Sequence, residues 1–251
     1  MISKVKNTIA RLLYPYGSIR TVLSGPLRGY RYIVGPAMGV TYAVGASQDA
    51  QTSFLLEKIS DEEVVFDVGG NQGQFTLLFA HAVGKEGTVV AFEPIEELAE
   101  KIRQNVSLNN LGNVEVVAAA AAGQAGHAEF RYSEDHATQG MLQDTEPTYS
   151  LSEAKTVRVQ TVTLDEIAQG EGLWPDVMKV DVEGGAKSVF SGAQRVLDRA
   201  PDILIEQHGP EEQYAVKNEL ISRGYTARTL EGNRIEDPTE GWHNPLWCTK
   251  R

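Results

Sequence analysis

Short apolar runs alternate with amphipathic stretches along most of the chain between residues 64 and 205. Runs rich in Val, Ile and Phe predict strands, and stretches with apolar residues every three or four positions predict helices. Strands that alternate with helices are typical of a parallel sheet covered on both faces, so we predict an α/β fold. The predicted strands are 64–66, 88–92, 114–117, 177–180 and 203–205, and the predicted helices are 75–83, 95–110, 165–168, 186–199 and 211–222.

Weaker patterns flank and interrupt this alternation. A polar loop over 133–152 is long for a compact domain, and loops of this length are commonly lids or binding loops, or else disordered. We predict an N-terminal extension over 1–50 and a main α/β domain over 51–251. Helical spacing occurs at 1–14 and 47–60, β-like segments occupy 20–23, 29–34, 128–132 and 156–161, and two late strands are expected within 225–230 and 246–249.

The segment after the first predicted strand is rich in glycine and opens a helix. Asp67, Gly69, Gly70, Asn71 and Gly73 stand in the order D-V-G-G-N-Q-G. Glycines let the backbone approach a ligand and a helix N-terminus presents N–H groups, so we expect a nucleotide-like cofactor here. The dinucleotide pattern G-x-G-x-x-G has no fixed acid ahead of it, and a carboxylate would repel a pyrophosphate. A carboxylate suits the cationic amino-acid end of S-adenosylmethionine instead.

The ends of the second and third predicted strands offer groups for an adenosine. Glu93 ends the second strand, where a carboxylate can accept both hydroxyl groups of a ribose, as it does in NAD enzymes. The alternative is a surface carboxylate that caps the next helix beside Pro94. Ala120 follows the third strand within the alanine stretch 118–122, where backbone amides would meet the adenine edge.

Polar side chains also end the fourth and fifth predicted strands. Asp181 and Glu183 follow one strand, and Glu206 and His208 follow the other, with each pair on one side if the chain stays extended. Ligands bind where parallel strands end, so Asp181, Glu206 and His208 are candidate catalytic residues, with Asp181 or His208 as the base for a hydroxyl proton. Asp181 with Glu206 could instead hold a divalent metal, or the carboxylates could cap a helix.

Composition narrows the partners and the compartment. The formal net charge of −11 repels phosphate backbones, so we expect no nucleic-acid partner. The single cysteine, Cys248, excludes an internal disulfide and is compatible with a reducing compartment, so we expect a cytoplasmic protein. The sequence contains no apolar run long enough for a membrane span. Residues 1–14 would form an amphipathic helix that lies either on a membrane surface or on its own domain.

The chain resembles the FkbM family of S-adenosylmethionine-dependent methyltransferases in several segments. The first segment is common to most class I methyltransferases, whereas T-L-D-E followed by K-V-D-V-E-G and I-E-x-H is more specific. The resemblance covers most of residues 20–208. The segments are FDVGGNQGQFTLLFA, VVAFEPIEELAEKIRQNVSLNN, VQTVTLDEI, MKVDVEGGAKSVFSGAQRVL and PDILIEQH, with LSGPLRGYRY similar to the family's preface.

The resemblance implies a Rossmann-like class I methyltransferase fold over 51–251, with a seven-stranded, mostly parallel sheet and a reversed late hairpin. It also implies O-methylation of a hydroxyl on a sugar, glycan or natural product. Two positions depart from the family pattern: Gln48 stands where an acid is frequent, and Lys187 replaces the final acid of D-V-E-G-A-E. The rival hypotheses are a catalytically silent binding module and an NAD-dependent oxidoreductase, although the chain has no Tyr-x-x-x-Lys pair.

Overall fold

The central feature is an eight-stranded sheet in the order β13-β12-β14-β11-β10-β3-β4-β5. The computed structural model describes residues 13–45, 50–132, 140–142 and 155–250. The strands are β1 (Ile19–Thr21), β2 (Arg31–Ile33), β3 (Val64–Val68), β4 (Thr88–Phe92), β5 (Val114–Val117), β6 (Ala120–Ala121), β7 (Gly126–Tyr132), β8 (Gly140–Leu142), β9 (Lys155–Val162), β10 (Val177–Val180), β11 (Asp202–Ile205), β12 (Thr226–Arg228), β13 (Arg234–Ile235) and β14 (Leu246–Thr249).

This sheet confirms the predicted class I architecture. Without the two-residue β13 it has seven strands, and β14 alone among these runs against its neighbours. The strands β3, β10 and β11 pair in parallel, and almost every residue of these strands is buried because helices cover both faces. β12 and β14 form the reversed hairpin expected within 225–230 and 246–249. The ligand-binding end of such a sheet is the carboxyl end of its parallel strands.

The helices follow the prediction between β3 and β5 and depart from it later. The helix expected over 186–199 is broken at Gly192, where only glycine fits because a Cβ would lie 2.1 Å from the carbonyl oxygen of Ala122. The helix expected over 211–222 is a regular α-helix only as far as Ala215. It then widens into a π turn (Val216–Leu220) and tightens into a 3₁₀ turn (Ile221–Arg223). The helices are α1 (Val40–Ala43), α2 (Ala50–Lys58), α3 (Gln74–Ala82), α4 (Glu96–Leu108), α5 (Leu164–Glu171), α6 (Ala186–Ser191), α7 (Gln194–Asp198) and α8 (Pro210–Ala215).

A second, four-stranded sheet in the order β6-β9-β7-β8 lies beyond the end of β5. Its two long strands, β7 and β9, pair antiparallel over seven residues, which confirms both β-like segments predicted around the polar loop. Of the loop 133–152 the described residues include only β8. The rest of the loop, at 133–139 and 143–152, lies outside the described residues, so its predicted role as a lid or binding loop stays a prediction.

The residues before α2 form a hairpin, β1–β2, followed by α1. Side chains on its inner side, such as Val22, Tyr32 and Met38, belong to the same apolar cluster as Leu77 of α3 and Val89 of β4. The hairpin therefore packs directly on the sheet and its helix, whereas the domain boundary at residue 50 stays a prediction. Most of the amphipathic stretch 1–14, together with Gln48, lies outside the described residues. Within the described ranges, no helix combines the length and apolar character needed to cross a bilayer.

The glycine turn after β3 is fixed by a close approach of two strand ends. Gly69 has φ +93° and its N–H donates to the carbonyl oxygen of Phe92 at 3.0 Å. A Cβ at this position would lie 2.0 Å from the carbonyl oxygen of Asp181. Glycine is required here for two reasons, the left-handed backbone and the contact with β10.

We expect Gly69→Ala to destabilise the fold much more than a matched change at a glycine of the same conformation. Gly29 has φ +94°, and no atom lies within 4 Å of the position that a Cβ would take. Gly29→Ala therefore adds only the cost of the left-handed backbone conformation, roughly 1–2 kcal/mol. Gly69→Ala adds a backbone clash, and we expect a loss of at least about 3 kcal/mol. Urea denaturation of the two variants measures the difference, and equal losses would show that the contact with Asp181 is not a constraint.

Candidate active site

A cleft of about 1160 Å³, counted out to its open mouth, lies at the carboxyl ends of β3, β4 and β10. Most of the residues predicted to bind a cofactor or to act in catalysis lie on its wall. Asp67, Gly73, Glu206 and His208 are not part of that wall, although each contacts residues close to it. The predicted residues that line the cleft are Gly69, Gly70, Asn71, Glu93, Ala120, Asp181 and Glu183.

The glycine turn contributes shape to the cleft more than hydrogen-bond donors. The N–H groups of Gly69 and Gly70 both donate to the carbonyl oxygen of Phe92, and the N–H of Gly73 donates to the carbonyl oxygen of Gly70. These three N–H groups are therefore used within the fold, and the expectation that the N-terminus of the following helix offers N–H groups to a ligand stays a prediction. The turn instead brings Asn71, with φ +51°, and Gln72 to the wall of the cleft.

Glu93 joins the turn to the next helix and also lines the cleft. Its Oε2 accepts a hydrogen bond from the N–H of Asn71 at 2.8 Å, and its Oε1 accepts one from the N–H of Ile95 at 2.9 Å. Burial raises the pKa of Glu93 to about 8, although both N–H groups favour the ionised form. The bond from Ile95 agrees with the interpretation that Glu93 caps α4, although Glu93 is buried and does not lie at the surface. Its contact with a ribose stays a prediction, and a capping carboxylate still has lone pairs for one.

Gln72 is a cleft residue that sequence reasoning missed. Its side chain is 1% exposed and lines the cleft, and neither its Oε1 nor its Nε2 has a hydrogen-bond partner among the described residues. A buried amide without partners is costly, so this donor and acceptor fit a ligand with both carboxylate and ammonium groups. The only signal in the sequence was its place within G-G-N-Q-G.

Asp67 lies beneath the cleft with no exposed surface. Its Oδ2 accepts a hydrogen bond from the Thr76 hydroxyl at 2.6 Å, and it stands opposite Lys179 in the register of β3 and β10. Burial raises the pKa of Asp67, while the nearby Lys179 ammonium lowers it. Its Oδ1 accepts no hydrogen bond within the described part of the chain. Asp67 therefore lies behind the cleft wall, next to Lys179, and does not line the cleft itself.

A buried lysine and several carboxylates form a cluster at the carboxyl ends of β10 and β11, next to the cleft. The ammonium of Lys179 lies 2.8 Å from Oδ2 of Asp181 and 3.4 Å from Oε1 of Glu206, and it stacks on the Phe75 ring at 4.7 Å. Lys179 is 1% exposed, so it is a buried ammonium neutralised by its neighbours. The Gln51 amide donates to the same Oε1 of Glu206 at 2.9 Å. Strand alternation and register place these groups together.

His208 completes the cluster with a carboxylate at each ring nitrogen. Its Nε2 lies 2.9 Å from Oδ1 of Asp181, and its Nδ1 lies 3.3 Å from Oε2 of Glu183. Burial alone would lower the pKa of His208, but Asp181, with smaller contributions from Glu183 and Glu206, raises it to about 9. The imidazole is therefore protonated near neutral pH, with its Nε2 donating a hydrogen bond to Asp181 and its Nδ1 forming an ion pair with Glu183.

The cations around Asp181 keep its carboxylate ionised. Burial alone would raise its pKa, but the Lys179 ammonium and the hydrogen bond from His208 hold the pKa of Asp181 well below its usual range. For Lys179 the balance has the opposite sign, since burial lowers its pKa and the facing carboxylates of Asp181 and Glu206 raise it above the usual value. Asp181 and Lys179 thus stabilise each other's charge.

The predicted metal alternative is weakened by the position of this lysine. Single ligand atoms of Asp181, Glu206 and His208 do lie within 4.8 Å of one another, which would suit a divalent cation. The Lys179 ammonium, however, contacts both carboxylates and supplies the positive charge that a metal would supply. A metal at this position would also have to displace the proton that His208 carries in the ion pair with Asp181.

The departure from the family pattern at Lys187 does not reach the cleft. This side chain is exposed on α6 and is not part of the cleft wall. The replacement of an acid by Lys187 therefore leaves the lining of the cleft unchanged. Glu183, four residues earlier, already places an acid at the wall.

We expect His208→Asn to lower the stability of the protein in a pH-dependent way. A pKa raised from 6.5 to about 9 on folding stabilises the fold fully below pH 6.5 and no longer does so above pH 9. Allowing for the partial exposure of the ring, the difference between wild type and variant should be on the order of 2 kcal/mol at pH 6 and near zero at pH 10.

Urea denaturation at both pH values measures this difference. His127→Asn is the matched control, because His127 is exposed on β7 away from the cluster. A difference between wild type and His208→Asn that does not shrink with rising pH would contradict the ion pair with Asp181.

The chain is similar to known methyltransferases. The family model described as "Methyltransferase FkbM domain" matches residues 67–227. The chain is also 27% identical over 184 residues to the hexuronic acid methyltransferase AglP of Haloferax volcanii, covering 73% of this chain and 72% of that protein.

Solved structures similar to this chain include two methyltransferases. The methyltransferase FkbM from Methylobacillus flagellatus has a TM-score of 0.48 and 18% identity, with 76% of this chain and 44% of that chain covered. The SAM-dependent O-methyltransferase from Thermotoga maritima has a TM-score of 0.47 and 12% identity, with 94% of this chain and 78% of that chain covered.

The match to the family model includes the glycine turn, Glu93, the buried lysine and the whole acidic cluster, and it extends to β12. By that match the chain belongs to the FkbM methyltransferase domain family.

Proposed function

We propose that this protein transfers a methyl group from S-adenosylmethionine to a hydroxyl group of a saccharide. The observation that carries the proposal is that Asp181, an ionised carboxylate held between two cations, lines the same cleft as Glu93 and Gln72. The relative whose name gives a hexuronic acid as its substrate supports a sugar as the acceptor.

The cleft fits the parts of S-adenosylmethionine. Glu93 would accept hydrogen bonds from the ribose hydroxyls, and the unpartnered amide of Gln72 would serve the amino-acid end. The wall between them is apolar where Ile95, Leu98 and Ala120 line it, which suits an adenine ring. When bound, the cofactor supplies a methyl group on a sulfonium centre that is already a good leaving group.

The work left to the protein is alignment and proton removal. Holding two reacting groups in line can contribute roughly 7–11 kcal/mol to lowering the barrier. Asp181 is one of the carboxylates on the cleft wall, and we assign it the hydroxyl proton because it is ionised near neutral pH. The cations that lower its pKa also make it a weaker base than an ordinary carboxylate, so its contribution depends on alignment with the hydroxyl group. His208 has both nitrogens directed at carboxylates, so it acts as a positioning residue that holds Asp181. Lys179, which also pairs with Glu206, holds Asp181 from the other side.

The cofactor assignment predicts that S-adenosylmethionine binds and that NADH does not. At pH 9, where the pKa of about 8 leaves Glu93 ionised, we expect Glu93→Gln to weaken cofactor binding by about 10- to 100-fold, because a charged acceptor of ribose hydroxyl groups is lost. Titration calorimetry with both ligands makes the measurement. Glu97→Gln, an exposed carboxylate in the first turn of α4, is the matched control.

Each outcome of this titration decides between the hypotheses. Binding of NADH alone would favour an oxidoreductase over a methyltransferase. Unchanged affinity in a correctly folded Glu93→Gln variant would remove Glu93 from the ribose site and leave its cap of α4 as its role.

The catalytic assignment predicts that Asp181→Asn lowers turnover by roughly 10²–10⁴-fold, because general-base help is lost. Cofactor affinity should stay within a few-fold of wild type, since Asp181 serves the acceptor. The assay follows labelled methyl transfer to a panel of saccharides, with uronic acids included, and identifies the product as an ether or an ester. Asp61→Asn, an exposed carboxylate before β3, is the matched control.

Full turnover in Asp181→Asn would show that another group takes the proton. An ester as the product would move the reacting oxygen from a hydroxyl to a carboxylate. Cofactor binding without transfer to any acceptor would favour the silent binding module. The assay is run after exhaustive chelation, and activity that returns only with added Mg²⁺ would restore the metal hypothesis.

A further inference from the structure

Positive charge is concentrated at the N-terminal end of this acidic protein. Residues 1–45 contain no Asp or Glu and have six basic residues. Because the whole chain has a net charge of −11, the residues after position 45 carry −17. The two parts therefore carry net charges of opposite sign, so the protein takes a preferred orientation near a charged surface. The basic residues are Lys4, Lys6, Arg11, Arg20, Arg28 and Arg31, of which the last three lie in the described structure.

Exposed apolar side chains are concentrated in the same part of the chain. Seven large apolar side chains are exposed among the described residues, and five of them lie between residues 13 and 45. Scattered single residues of this kind are normal, whereas a local concentration indicates a surface that meets another apolar phase. The five are Leu13, Tyr16, Ile19, Leu23 and Val44, with exposures from 44 to 63%.

The β1–β2 hairpin brings charge and apolar groups onto one outer face. Thr21 pairs with Arg31, and because paired residues share a face, Arg31 projects on the same side as Thr21 and Ile19. The opposite side of the hairpin is buried against the sheet through Val22 and Tyr32. The outer face is thus free of the protein core.

The outer face continues into the next segments. Leu23 follows Thr21 by two positions, and its N–H donates to the carbonyl oxygen of Ala43 at 2.7 Å, which places Val44 beside it. Arg28 lies exposed in the turn between β1 and β2. We call the exposed residues Ile19, Leu23, Arg28, Arg31 and Val44 the hairpin face.

We propose that the hairpin face docks the protein on an anionic membrane surface. Short aliphatic side chains among arginines are the combination that inserts into a headgroup region while it attracts anionic lipids. The acidic remainder of the chain is repelled by the same surface, so docking through this face is the orientation that charge favours. A nucleic acid would offer no apolar phase to Leu23 and Val44. This inference is independent of what the cleft binds.

Vesicle flotation of the full chain tests the proposal. We expect binding to vesicles of phosphatidylcholine with about 30% phosphatidylglycerol, little binding to phosphatidylcholine alone, and loss of binding at high salt. The double variant Arg28→Glu/Arg31→Glu should bind at least about 10-fold more weakly, because each basic residue near an anionic surface contributes roughly fivefold. Leu23→Gln should weaken binding at either salt concentration.

Two matched controls separate the hairpin face from net charge and exposed apolar area. Arg228→Glu/Arg234→Glu makes the same change in net charge at exposed positions on β12 and β13. Tyr214→Gln removes an apolar side chain that is 57% exposed on α8. Both controls should bind vesicles like wild type.

Several results would overturn the proposal. They are no binding by wild type, equal binding to neutral vesicles, and equal losses in the hairpin and control variants. Thermal unfolding confirms that each variant is folded. If Leu23→Gln converts a dimer to a monomer in sedimentation while wild type ignores vesicles, the face belongs to a second copy of the chain. Cofactor titration of the same variants keeps this test separate from the proposed function.

Discussion

The site depends on one buried ammonium group. Lys179 is fully enclosed, and a charge in that position is tolerated only because carboxylates lie on several sides of it. Asp67 approaches from β3, Asp181 follows β10, and Glu206 follows β11. Removing one partner of such a buried group typically costs about 3–5 kcal/mol, since it leaves the others uncompensated. The carboxylate proposed to accept the proton is therefore fixed by the same interaction that holds the strand ends together.

The close contact of Gly69 with the backbone of Asp181 links the two halves of the cleft. The turn proposed to shape the cofactor side and the strand proposed to carry the acceptor side touch at their backbones. Glu93 adds a second link, because its two oxygens join the turn to α4. Alignment of two reactants requires that their binding groups keep a constant separation. These contacts provide that rigidity without any contribution from a ligand.

Much of the fold could be predicted because local patterns determine it. The alternation of strands and helices, the glycine turn and the acids at the strand ends are each visible within a few residues. Glu93 and Asp181 were found by their place after a strand. The helix break at Gly192 was missed, and the close approach of Ala122 that requires glycine there comes from a residue remote in sequence.

The charge states of the residues in the site also could not be predicted from the sequence. Lys179 was visible two residues before Asp181, but its burial depends on the register of three strands and on the ring of Phe75. Gln51 reaches Glu206 from a helix that precedes the whole sheet. His208 was predicted as a candidate base, and the two carboxylates around it make it a cation instead. Such neighbours are set by tertiary packing, which no local pattern encodes.

The second sheet has a consequence for how new specificities could arise. Phe130 and Tyr132, which lie on β7, reach the cleft wall, while β7 itself is held mainly by β9 and not by the central sheet. The part of the wall that meets the ligand from this side is built as a separate module. Directed evolution could diversify that module, as loops are diversified on an antibody framework, without disturbing the strand ends that carry the charges.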